Sequence, residues 1–115
     1  MGALSRDGGC LDARICISCM TIEHRGTLPD IVAQRLGNRV YGCDECQKAC
    51  PHNRFSSPTE IEEFSPSDEF LALNNETMAG MTEEDFRRLF RRSAVKRAKY
   101  AGLMRNFEAM RKYKK

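Results

Sequence analysis

The sequence predicts a mostly α-helical chain carrying one small β-hairpin, with an α+β, cysteine-bearing first half and an all-helical second half. Two observations set this division. All six cysteines fall between Cys10 and Cys50, and a Ser- and Pro-rich stretch then separates them from a remainder without cysteine. The boundaries follow as 1–51 for the cysteine region, 52–66 for the linker and 67–115 for a basic helical region. At 115 residues and 41% hydrophobic, with no tryptophan, the chain is one domain or a piece of one. No apolar run approaches the roughly eighteen residues that span a bilayer, and nothing resembles a signal peptide, so a soluble cytoplasmic protein without membrane contact is expected.

The elements read in order. Ala3-Leu4 and Cys10-Leu11 flank an Asp-Gly-Gly turn, the pattern of a β-hairpin. A short helix is expected over Cys16 to Glu23, broken at Gly26-Thr-Leu-Pro29. Pro29 suits the first turn of a second helix from Asp30 to Leu36, closed by Gly37-Asn38. A third should run from Asp44 to Ala49 until Pro51 turns the chain away. Thr82-Glu83-Glu84-Asp85 offers a hydroxyl cap followed by three acids in a positive first turn, with Phe86, Leu89 and Phe90 as the apolar face. Ser93 breaks the pattern. Val95, Ala98, Leu103, Phe107 and Met110 then space a last helix from Ala94 to Arg111. These apolar positions are read as core, with Phe70 and Leu71 joining them in a small core of the helical half.

The chemistry-bearing run is Tyr41-Gly-Cys43-Asp-Glu-Cys46-Gln-Lys-Ala-Cys50-Pro51, with Arg14-Ile-Cys16-Ile-Ser-Cys19 upstream. A C-x2-C-x3-C-P ending is that of a bacterial ferredoxin cluster motif, whose last cysteine ligates the other cluster of a pair. A turn entering a helix places Cys43 and Cys46 on one side of a cluster, while Cys50, a turn later, points elsewhere. Two other readings of the thiols stand beside this one. Disulfides are disfavoured in a reducing compartment; a zinc site from Cys16, Cys19, Cys43 and Cys46 matches tetrahedral thiolate coordination but leaves Cys50-Pro51 unexplained.

Charge is divided sharply along the chain. Residues 60–85 hold nine acids and no base, whereas residues 87–115 hold twelve Lys or Arg and one acid. That tail is therefore +11, and with a whole-chain charge of +3 the first 86 residues carry −8. Arg87, Arg88, Arg91, Arg92, Lys96, Arg97 and Lys99, with Arg105 further on, lie on helix faces left over from the core. No acids alternate with them to form i,i+4 pairs, which favours a polyanionic partner, RNA or DNA, over a merely solvated surface.

Four stretches together resemble the C-terminal part of epoxyqueuosine reductase. They are Leu11-Asp-Ala-Arg-Ile-Cys-Ile-Ser-Cys-Met-Thr-Ile-Glu23, Gly37-Asn-Arg-Val-Tyr-Gly-Cys-Asp-Glu-Cys-Gln-Lys-Ala-Cys-Pro51, Met81-Thr-Glu-Glu-Asp-Phe86 and Ser93-Ala-Val-Lys-Arg-Ala-Lys-Tyr-Ala-Gly-Leu-Met-Arg-Asn106. The resemblance runs in order over nearly the whole chain. It implies an oxidoreductase of queuosine biosynthesis in which electrons pass through two 4Fe-4S clusters to a cobalamin, reducing the epoxide of a modified tRNA base. It implies tRNA as partner and an electron donor such as a flavodoxin or ferredoxin. Cobalamin and the family's catalytic acid belong to a preceding domain, so the resemblance gives this segment no catalytic residue, and Met1-Gly-Ala-Leu4 corresponds to the position just after the family's first cluster motif.

Carried over, Cys16, Cys43 and Cys46 match three ligands of one cluster, whose fourth is the last cysteine of that first motif. Cys50 matches the ligand reaching to the other cluster. Cys19 stands where some members have an aromatic residue and is kept as an extra candidate ligand. Cys10 matches no ligand. Two alternatives from other classes remain in view, a stand-alone ferredoxin-like electron carrier and a zinc-stabilised nucleic-acid-binding module.

Overall fold

In the computed structural model, residues 2–113 are described, and they fold as seven α-helices joined by turns and three short 3-10 segments. Helix α1 spans Ile17–Ile22 and α2 spans Asp30–Ala33, with Pro29 as its N-cap. Helix α3, Glu45–Ala49, carries Cys46 and ends at Cys50, after which Pro51–Phe55 continues as a 3-10 turn. A second 3-10 turn covers Glu62–Phe64, and α4 (Asp68–Leu71) is capped by Ser67, whose side chain accepts from Phe70 N–H. Helix α5 is Asn75–Ala79 and α6 is Glu83–Leu89. A 3-10 segment at Ala94–Ala98 leads into α7, Lys99–Tyr113.

The α+β character expected of the first half is corrected. Among the described residues there is no β-strand, and the hairpin is reduced to one antiparallel bridge between Leu4 and Leu11. Side chains explain why the pairing stops there. Asp7 Oδ1 accepts from Ser5 Oγ at 2.6 Å and from Gly9 N–H at 2.9 Å, while Ser5 Oγ accepts from Cys10 N–H at 3.0 Å. Local side-chain bonds of this type offer the backbone an alternative to a ladder. Leu4 and Leu11 are exposed, and a two-stranded ribbon with no covered face is marginal in water.

The cap at Thr82 forms as its sequence predicts. Thr82 Oγ1 accepts from Asp85 N–H at 3.2 Å and the Asp85 carboxylate accepts from Thr82 N–H at 3.1 Å, a reciprocal box. The last helix starts five residues later than its spacing suggests. Ser93 Oγ takes Val95 N–H at 3.1 Å and holds 94–98 as a 3-10 segment. Lys99 then has φ 62° and ψ 162°, a region that in effect only glycine occupies and that costs another residue about 1–3 kcal/mol.

One core serves both halves of the chain. Ile17, Met20, Leu28, Val32 and Leu36 from the cysteine half pack with Met78, Met81, Phe86, Phe90, Leu103, Phe107 and Met110. Helix α7 is its axis, touching α1, α2, α5 and the 94–98 segment. Phe70 and Leu71, expected in a core, are 42% and 65% exposed. Helix α4 is too short to bury a face; Phe70 only sets its ring edge-on to Phe90 at 6.1 Å. From Pro51 to Ala72 every residue is exposed.

Candidate metal centre and basic surface

All six thiols are free. Cys16 is the N-cap of α1, with extended backbone, and its carbonyl accepts from Met20 N–H at 2.9 Å. Cys19, half-buried on α1, receives Glu23 N–H and His24 N–H at its carbonyl. Cys43 is half-buried and packs against the core. Cys46 is exposed on α3, a helix that buries no residue, and Cys50 closes that helix. Cys10 is exposed near the Leu4–Leu11 bridge.

Buried polar groups that sequence patterning did not single out bring the Cys16 and Cys43 segments together. Thr21 and Asn106 are each 0% exposed. Thr21 Oγ1 donates to Ile17 O at 2.7 Å within α1 and accepts Gly42 N–H at 2.9 Å, one residue before Cys43. Asn106 Nδ2 bridges Thr21 O and Val40 O, both at 2.9 Å. Arg105 sets that amide, donating to Asn106 Oδ1 from Nε and Nη2 at 3.0 and 2.8 Å. The same guanidinium reaches His24 O, Gly26 O and Met20 O. Burial, and secondarily Arg25, lowers the Arg105 pKa from its ordinary value. The signal available in sequence was the Arg105-Asn106 pair, a polar couple inside an otherwise apolar helix stripe.

Helix α3 is held more lightly. The Arg39 guanidinium meets Glu45 at 2.6 Å, Lys48 lies 3.6 Å from the same carboxylate, and Asn53 Nδ2 donates to Gln47 O at 3.1 Å. Hydrogen bonding from Arg39 holds the Glu45 carboxyl below the usual carboxylate range. No group of three or more His, Cys, Asp or Glu is arranged to hold a single metal ion among the described residues. Cys16, Cys43, Cys46 and Cys50 thus stand on three segments, the start of α1, the Gly42 turn and α3, without closing a site between them.

The basic surface corrects an expectation. Acids do pair with it: Arg87 with Glu83 at 2.9 Å in i,i+4 spacing, and Arg88 with Asp85 at 3.1 Å and Glu69 at 2.6 Å. Arg97 chelates Glu23 through Nε and Nη2, at 3.0 and 2.9 Å, and its hydrogen bond holds the Glu23 carboxyl below its usual range. Arg91, Arg92, Lys96 and Lys99 are exposed, and no side-chain partner stands against them among the described residues.

Comparison with known proteins places this geometry. Residues 1–53 match the 4Fe-4S double cluster binding domain. The chain is 39% identical to epoxyqueuosine reductase of Cellulophaga algicola over 101 residues, 88% of this chain and 33% of that protein. Over most of its length the chain is similar to one part of epoxyqueuosine reductase. The Escherichia coli reductase is 41% identical over 96 residues, 84% of this chain and 25% of the relative. A crystal structure of epoxyqueuosine reductase with a tRNA-Tyr epoxyqueuosine-modified tRNA stem loop superposes with a TM-score of 0.80 at 28% identity, covering 92% of this chain and 28% of that one. The chain spans about a quarter to a third of the length of these reductases. No helix among the described residues is long and apolar enough to cross a membrane.

The donor set suits the group this domain implies. Iron-sulfur clusters are held by thiolates, and here free thiols stand on three separate segments, at an N-cap, after a glycine turn and on a short exposed helix. Gly42, at φ 76°, makes the turn that brings Cys43 to the end of α1.

Proposed function

We propose that this chain is the iron-sulfur electron-transfer segment of an epoxyqueuosine reductase. Cys16, Cys43 and Cys46 ligate one 4Fe-4S cluster, with the fourth thiolate supplied from outside the chain, and Cys50 reaches the second cluster. Residues 1–51 form the cluster-binding region, 52–66 a linker and 67–115 the basic helical region. In the longer protein the electron donor is a flavodoxin or ferredoxin, cobalamin is bound elsewhere, and the substrate is the epoxide of a modified tRNA base in the cytoplasm. The segment contributes no catalytic residue.

The observation that carries this reading is the coincidence of the double-cluster match at 1–53 with the Cys43-x2-Cys46-x3-Cys50-Pro51 run inside it. A bound 4Fe-4S cluster supplies one-electron transfer. The chain's residues do the holding. Cys43 follows backbone fixed by Thr21 and Asn106, and Cys16 heads the helix, α1, that carries Thr21. Cys46 and Cys50 sit on α3, which is free to settle on its ligands.

The reductase solved with a tRNA stem loop supports RNA as the partner of the basic region. The lysines and arginines at 87–99 face the tRNA backbone in this reading, and affinity falls steeply with salt as counterions are released.

Anaerobic reconstitution of the longer reductase that contains this segment, with iron and sulfide, followed by visible absorption and metal analysis, tests the reading. A brown protein holding about eight irons is expected for two clusters. Colourless protein with about one zinc would replace it with a zinc-stabilised module, and clusters without any tRNA binding would leave a ferredoxin-like carrier. Cys43→Ala or Cys46→Ala should remove about half of the iron, since each takes a thiolate that no neighbour replaces.

A further inference from the structure

The cations of the basic region differ in what they are free to do. Arg87, Arg88 and Arg97 are engaged by Glu83, by Asp85 with Glu69, and by Glu23. Arg91, Lys96 and Lys99, which have no acid partner among the described residues, line one groove of about 440 Å³ between α6 and the start of α7, together with the Arg87–Glu83 ion pair. Tyr100 Oη donates to Met81 O at 2.6 Å, and the Tyr100 ring stands edge-on to Phe86 with centroids 6.0 Å apart. The Glu83 carboxylate in the lining accepts from Arg87 at 2.9 Å.

Lys99 adds an independent observation. It is the one non-glycine residue at positive φ among the described residues, and its φ 62°, ψ 162° is a conformation suited to glycine. A glycine there would relieve the backbone and lose only the side chain, and that side chain is an ammonium opening into a groove with two other unengaged cations.

We propose that Arg91, Lys96 and Lys99 form an anion groove that takes a backbone phosphate of RNA, with Lys99 retained in a glycine conformation for its charge. This rests on the RNA-partner reading above and narrows it: three cations make the contact, while Arg87, Arg88 and Arg97 are structural. Three exposed cations without acid partners give the groove an excess of positive charge that favours a phosphodiester, and Lys and Arg supply sequence-independent contacts of this kind.

The test is titration of the intact protein with unmodified tRNA over a range of salt concentrations. Arg91→Gln with Lys96→Gln should weaken binding and flatten the log-log salt slope by about 1.4–1.8, two contacts at 0.7–0.9 each. Arg88→Gln should change the slope by less than about 0.5, because that guanidinium is already neutralised by two carboxylates. Lys99→Gly should act in opposite directions on two readouts, raising Tm while flattening the slope by about 0.7–0.9. A Lys99→Gly protein that gains stability and keeps its affinity and slope overturns the assignment of Lys99. Equal effects of the Arg88 and Arg91/Lys96 variants, or none from either, overturn the groove while leaving RNA binding in place. Absence of tRNA binding by the unaltered protein overturns the RNA reading and this inference with it.

Discussion

The hydroxyl of Thr21 and the amide of Asn106 do at residue scale what the cysteines cannot do for themselves. Thr21 joins α1 to Gly42, and Asn106 joins both to α7 through two carbonyls 2.9 Å away. Leaving a buried donor or acceptor unsatisfied costs about 1–3 kcal/mol. Thr21→Val, which strands Gly42 N–H, should therefore lower stability in urea by about 1–3 kcal/mol. Asn106→Leu also removes an acceptor of the Arg105 guanidinium, and a loss of about 3 kcal/mol or more is expected by the same measurement. An Asn106→Leu protein as stable as the parent would show that the bridge is incidental. The cysteine pattern was legible in sequence because ligand spacing is local. Thr21 and Asn106 were less so: the Arg105-Asn106 couple stands out in the apolar stripe of α7, but its partner Thr21 lies 85 residues away and alone reads as an ordinary polar residue of a short helix.

Among the elements, α6 was the most legible, because its start is encoded within four residues. Thr82→Ala removes the acceptor of Asp85 N–H and should cost about 1 kcal/mol, seen as a fall in Tm. The cap also predicts a pH dependence. Hydrogen bonds from Thr82 backbone and side chain, with Arg88 behind them, hold the Asp85 pKa below its usual value. A folded-state pKa below the unfolded one gives a contribution fully present at neutral pH and lost as pH falls through the folded value, here below about pH 4. Asp85→Asn, which removes the charge while leaving an acceptor for Thr82 N–H, should thus differ from the parent in Tm more at pH 7 than in strong acid; a difference that stays constant with pH would remove the carboxylate charge from the cap. The hairpin was misread for a related reason. Asp7-Gly8-Gly9 encodes a turn, and the turn is present, but a turn does not supply the covered apolar face that extends pairing into strands. The late start of α7 was hidden because Ser93 Oγ draws the chain into a 3-10 segment whose apolar spacing resembles a helix.

At the scale of the molecule, firmness is uneven. The α7-centred core unites residues from both halves, while 51–72 are exposed throughout and α3 is tied by ion pairs and one side-chain hydrogen bond. Exposed ion pairs contribute at most about 1 kcal/mol. Amide exchange on metal-free protein should accordingly show slow amides in α7 and fast ones across Cys43 to Ala72. Strong protection of α3 without metal would mean that the segment is ordered by contacts of its own. Isolated in air, a chain offering three matched thiolates to one cluster should be metal-poor, measured as iron per protein. The shared core was only partly visible in sequence: its residues were found by helical spacing, but their meeting across a linker is a matter of tertiary packing.

The most direct test of the account counts iron and sulfide in the longer reductase containing this segment, anaerobically reconstituted, after replacing each cysteine of the segment in turn with alanine. Cys16, Cys43 and Cys46 should each lower the count from about eight irons to about four, Cys50 should lower it through the other cluster, and Cys10 and Cys19 should leave it unchanged. Full iron in the Cys16, Cys43 or Cys46 variants, or its loss in the Cys10 or Cys19 variants, would contradict the assignment of these three thiolates to one 4Fe-4S cluster.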